Sequence, residues 1–184
     1  MALSRGAKLF LAFLICAAFP ALTPFAGAKP KGAKTFQGTC EMSGVIHHEP
    51  PLTQTPTPTT VRGSFRGVCS GRLTDRKGRT RGLDQTPASY RALGVGDLSC
   101  LGGVATGTGK LSLGRGSVIE FALTERRAPG VAVVTLEGES GGTATVFGTV
   151  SRDEDLIELN RRCMGSGVRL LRGDARIVSP GIAG

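Results

Sequence analysis

The sequence predicts an all-β fold: a single antiparallel β-barrel or sandwich of about 8–10 strands, with one short helix near 153–162 and two disulfides. Apolar residues alternate with polar ones over most of the chain, and sustained helical periodicity is missing. Turn residues punctuate these runs about every 8–12 positions, the spacing of sandwiches and barrels. Glycine is abundant, 28 of 184 residues, while aromatics make up 5 % and Trp is absent. Glycine within strands permits bends and tight curvature, which favours barrel closure over a flat sandwich. Alternation with polar residues indicates sheets wetted on one face, as antiparallel sheets are.

Each element follows from its own pattern. Phe36, Gly38, Cys40, Met42, Gly44 and Ile46 share one face of a first strand, and Val61, Gly63, Phe65, Gly67 and Cys69 one face of a second. Between them, "HHEPPLTQTPTPTT" carries four prolines, which remove ladder donors and favour an extended, polyproline-like crossover. "RLTDRKGRTRG" from Arg72 to Gly82 holds good turn residues (Thr74, Asp75, Gly78) at the tip of a basic hairpin. A segment from Val104 to Leu113 reaches the turn "GRGS", and Ile119, Phe121 and Leu123 alternate beyond it. The turn "RRAPG" leads to Ala132, Val134 and Leu136, and "GESGG" to a strand over 143–150. "RDEDLIELNRRC" places Leu156, Leu159 and Cys163 at helical spacing, with acids first and arginines last, which suits a helix dipole. Two last strands are expected, around Val168–Arg172 and Asp174–Val178.

The first 28 residues read as a signal peptide: basic Arg5 and Lys8, an apolar run from Leu9 to Phe19, then Ala26-Gly27-Ala28 with cleavage after Ala28. That run is shorter than the roughly 20 residues a membrane span needs, and the mature chain has no second one. Residues 29–34 then form a flexible mature N-terminus, and 35–180 a single all-β domain. A secreted, extracellular address agrees with the cysteines, since Cys16 leaves with the signal peptide and four remain. Cys40, Cys69, Cys100 and Cys163 are expected in two disulfides, because no CxxC knuckle offers zinc a site. Three pairings are open; Cys69–Cys100 with Cys40–Cys163 is favoured here, stapling the basic hairpin and the chain ends.

Chemistry is harder to place, and no catalytic residue is assigned. His47 and His48 are the chain's two histidines; neighbours on a strand face opposite sides, so they do not share a metal, and both read as exposed or structural. Asp153, Glu154 and Asp155 read as a solvated helix start, and pairing carboxylates such as Glu137 and Glu139 by sequence has no basis. "ATGTGK" fails as a phosphate loop, since Leu111 follows Lys110. No metal or cofactor is expected. The formal charge is +9, and the cluster Arg72, Arg76, Lys77, Arg79 and Arg81 reads first as the solvated tip of a hairpin and second as a polyanion contact, which Arg62, Arg66 and Arg91 could extend. Few aromatics interleave these charges, which argues against nucleic acid.

"PPLTQTPTP", "GSFRGVCSGRLT" and "LSCLGGVATGTGKLSL", following a strand ending in Cys40, resemble uncharacterised exported all-β proteins of high-GC Gram-positive bacteria. That resemblance implies export and a β-fold and transfers no active residue. The expectation is a secreted or cell-wall-associated, non-enzymatic β-domain binding an anionic cell-wall polymer, a membrane surface or a small apolar ligand. The alternative is a secreted cofactor-free hydrolase or isomerase with its site in the barrel interior. A polar group such as Glu120, Glu137 or His48 inside a pocket is what separates them.

Overall fold

Eight antiparallel strands close into a barrel in which each strand pairs with its neighbours in sequence and β1 pairs with β8. The computed structural model describes residues 32–114 and 116–184, so the expected signal peptide (1–28) and Cys16 lie outside the described residues. The strands are β1 (Thr35–Leu52), β2 (Thr57–Thr74), β3 (Thr80–Ser99), β4 (Gly102–Leu113), β5 (Ser117–Ala128), β6 (Val131–Gly138), β7 (Thr143–Val150) and β8 (Val168–Ala183). One helix, α1 (Leu156–Met164), interrupts the meander between β7 and β8.

Alternation decides what faces inward. Phe36, Cys40 and Met42 of β1, Phe65 and Cys69 of β2, and Ile119, Phe121 and Leu123 of β5 are all buried in one core. Tyr90 stacks on Phe121, with ring centroids 5.5 Å apart, and meets Phe65 edge-on at 5.9 Å. An eight-stranded barrel has an interior just wide enough for side chains or one small ligand. Glycine makes this interior fit: a Cβ on Gly107 would collide with the backbone of Leu93 and Gly94, and one on Gly109 with the Phe121 ring. Closure also leaves no free sheet edge. At the seam, Ser179 donates to the Phe36 carbonyl and accepts from the Ile182 amide, holding β8 to β1 past Pro180.

Three expectations need correction. The proline-rich stretch is no crossover: β1 runs through Pro50 and Pro51 to Leu52, and β2 begins at Thr57. The prolines fit because the β1–β2 ladder ends at Glu49–Thr60, while pairing with β8 shifts register between His47 and Leu52. Where ladder hydrogen bonds lapse, a missing N–H costs nothing. The two last strands are one, since β8 continues through Gly173 opposite both β1 and β7.

The third correction is the disulfide pairing, which is Cys40–Cys69 and Cys100–Cys163. Cys40 and Cys69 are direct cross-strand partners on the inner faces of β1 and β2. Cys100 sits in the β3–β4 turn at one end of the barrel and Cys163 on α1. The first bridge therefore stiffens a wall, and the second ties the helix to the mouth.

Candidate functional site

The barrel end bearing the β3–β4 and β5–β6 turns is covered by α1. Asp155 caps the helix, its carboxylate accepting from the amides of Ile157 and Glu158 at 2.9 and 3.1 Å. Glu158 pairs with Arg161, and Glu154 with Arg162, so the acids-first, arginines-last order also stabilises the surface of the helix. Leu159 and Cys163 turn toward the barrel, while Leu156, Ile157 and Met164 remain exposed. A second, smaller core forms beneath, from Leu52, Val61, Leu98, Ala105, Cys163 and Val168.

Beside this core lies a cavity of about 230 Å³, lined among others by Ile46, Leu52, Phe65, Leu159, Val168 and Leu171. Its few polar neighbours include Arg127, Asp174, Gln54 and Asn160. Drug-sized sites run to about 300–1,000 Å³, so the space suits a small molecule.

Arg127 carries the electrostatics of this end. Its side chain is 8 % exposed, and Glu125, two residues earlier on β5, is 11 % exposed. The Arg127 Nε donates to Glu125 Oε1 at 2.8 Å, and its second terminal nitrogen reaches the same oxygen. The other terminal nitrogen lies 2.8 Å from His48 Nε2 on β1. Because a guanidinium can only donate, Nε2 is the acceptor and the His48 proton sits on Nδ1. Nδ1 has no hydrogen-bond partner among the described residues. Burial, and then the Arg127 charge, push the His48 pKa down to about 3; the Val168 backbone opposes the shift without reaching hydrogen-bond geometry. Tyr90 is pushed up, first by burial and then by the Glu125 charge.

His48 is therefore the group on which the interior question turned, and it is buried in the barrel while His47 is exposed. Glu120 and Glu137 face outward: Glu120 pairs with Lys110 on the surface, and Glu137 is exposed. Glu125 and Arg127 were missed, although they extend the alternation of Ile119, Phe121 and Leu123 by two further inward positions. Ser99, which lines the cavity, is occupied by its own turn, donating to the Gly102 carbonyl and accepting from the Leu101 amide.

The basic hairpin lies at the opposite end of the barrel, between β2 and β3. Asp75 organises its tip, accepting from the amides of Lys77 and Arg79 and from the Arg79 guanidinium. The Arg79 contacts hold the Asp75 carboxyl below its ordinary pKa, the backbone hydrogen bond first. Arg79 is thus partly neutralised, while Arg72, Arg76, Lys77 and Arg81 are exposed and without ion-pair partners among the described residues. On the outer face of the sheet, Arg91 is registered opposite Ser64, between Arg62 and Arg66 on β2. These three arginines are exposed and likewise free of ion pairs among the described residues.

Compared with known proteins, the chain matches no protein-family model, no curated protein and no solved structure. No helix among the described residues is long and apolar enough to cross a membrane. The two disulfides are compatible with an extracellular protein.

Proposed function

We propose that this chain is a secreted, non-enzymatic barrel that binds a small, largely apolar ligand beneath α1. The observation that carries the reading is the cavity of about 230 Å³, walled by aliphatic side chains and Phe65 and covered by a disulfide-tethered helix. An apolar pocket with a few convergent polar groups is the usual form of a small-molecule site. The enzyme alternative is less well supported, because the buried histidine is occupied by an arginine and its pKa of about 3 removes it from acid–base work near neutrality. Export through residues 1–28, with cleavage after Ala28, belongs to the same proposal and agrees with the resemblance to exported all-β proteins.

A second reading concerns the outside of the barrel. Arg62, Arg66 and Arg91 lie within cross-strand reach of one another, with the Arg72–Arg81 hairpin on the same two strands. We propose that this face contacts an anionic cell-wall polymer or membrane surface.

Ligand-observed NMR with toluene tests the first reading. Toluene should bind the wild-type chain, and Ala132→Phe, which fills the cavity from β6, should weaken binding about tenfold with the fold retained. Equal toluene binding by a correctly folded variant would place the ligand elsewhere.

A further inference from the structure

The hydrogen-bond account of Arg127 specifies what kind of ligand the cavity accepts. A guanidinium has five N–H donors. Three are engaged: Nε and one terminal N–H on Glu125, and one N–H of the other terminal nitrogen on His48. One N–H remains on each terminal nitrogen of a residue that lines the cavity. These are directional donors at a largely apolar wall, and a buried donor left unpaired is costly.

Charge narrows the class further. Glu125 already cancels the Arg127 charge, and His48 is a neutral hydrogen-bond acceptor. A carboxylate entering this space would meet an arginine whose charge is already compensated, in apolar surroundings where an unpaired charge is expensive. A hydrocarbon would leave the two N–H groups unanswered.

Resting on the apolar-cavity reading above, we infer that the ligand is a neutral apolar molecule with one accepting oxygen, a ketone, aldehyde or ester. Its oxygen accepts from the free terminal N–H groups of Arg127, and its hydrocarbon portion lies against Leu52, Leu159, Val168 and Leu171. The Glu125 and His48 contacts fix the guanidinium in place, so the donors are oriented before the ligand arrives.

Isothermal titration of the full chain with four eight-carbon probes tests this: methyl hexyl ketone, octane, octanoate and octylamine. The ketone should bind at least about tenfold more tightly than octane or octanoate, the usual worth of a hydrogen bond to a charged donor. In the double variant Glu125→Gln/Arg127→Met, the ketone preference over octane should fall to near unity while octane binding persists. His48→Gln, which keeps a neutral acceptor beside Arg127, should retain the preference and shows whether a loss in the double variant is specific. Equal binding of ketone and octane by wild type would overturn the inference while leaving the apolar cavity standing. Preferential binding of octanoate would overturn the charge argument, and of octylamine would show that the cavity recognises a cation and not an accepting oxygen. Failure of all four probes would overturn the cavity reading itself.

Discussion

The guanidinium of Arg127 lies 2.8 Å from Nε2 of His48, joining β5 to β1 across the lumen. In a closed barrel of eight strands in sequence order, these two are four strands apart in either direction. Glu125 and His48 sit level with their register partners Ala105 and Val61, both members of the smaller core. A polar bridge at this level is what a barrel core alone would not contain, since apolar residues fill such a space at lower cost.

The bridge makes stability depend on acid. His48 has a folded pKa of about 3 against 6.5 for the ordinary side chain. A folded value below the unfolded one means that the unfolded chain takes up the proton first as pH falls. Stability from this residue is therefore fully present above pH 6.5 and is lost progressively toward pH 3. Melting temperature followed over that window should fall, and His48→Gln should flatten the part of the slope due to this residue. An unchanged slope in the variant would show that other groups set it.

Removing one partner of the buried pair should be worse than removing both. Glu125→Ala strands the Arg127 charge and should cost about 3–5 kcal/mol in a denaturant titration. Glu125→Leu combined with Arg127→Met replaces the pair by apolar volume and should cost clearly less than the single change. Additive costs would mean that the pair is not coupled as its geometry requires.

How much of this could be read in the sequence depends on the element. The inward faces of β1, β2 and β5 were legible because alternation continues unbroken through Phe36, Phe65 and Phe121. The prolines misled: read as a crossover, "PPLTQTPTP" concealed a hairpin whose turn lies at Gln54–Thr55. Cys40 and Cys69 stand equally far from that turn, so recognising the hairpin would also have yielded their pairing. Arg127 is hard to see because "RRAPG" reads as a turn, although Arg127 still pairs with Ala132 in the ladder, and Glu125 stands just before that turn signal. The contact from Arg127 to His48 follows only from barrel closure, which brings distant segments together in a way no local pattern encodes.

The two disulfides should differ in what they hold. Mass spectrometry of non-reduced peptides should find Cys40 linked to Cys69 and Cys100 to Cys163, with no free thiol among the four. Replacing Cys100 and Cys163 by Ser releases a loop of 63 residues and should cost up to about 4 kcal/mol on the chain-entropy estimate. Hydrogen exchange should then speed up in α1 well before the β1–β2 ladder. Uniform acceleration through both would mean that the helix is not a separate unit.

The hairpin and the outer arginines can be separated by charge reversal. Asp75 already neutralises part of the tip, so Arg76→Glu with Lys77→Glu removes two of its free cations. Arg62→Glu with Arg91→Glu does the same on the sheet face, where no carboxylate pairs with either among the described residues. If the face binds an anionic surface, the sheet pair should weaken binding to anionic vesicles or acidic wall polymer by at least about tenfold at low salt. The hairpin pair should weaken it less if binding centres on the sheet, and more if it centres on the tip. Both losses should shrink as salt rises, since the screening length is about 10 Å at 0.1 M. Folding should change little, because such exposed substitutions are usually within about 0.5 kcal/mol. Vesicle and polymer binding that neither pair alters would leave these charges as solvated side chains whose effect is on solubility alone.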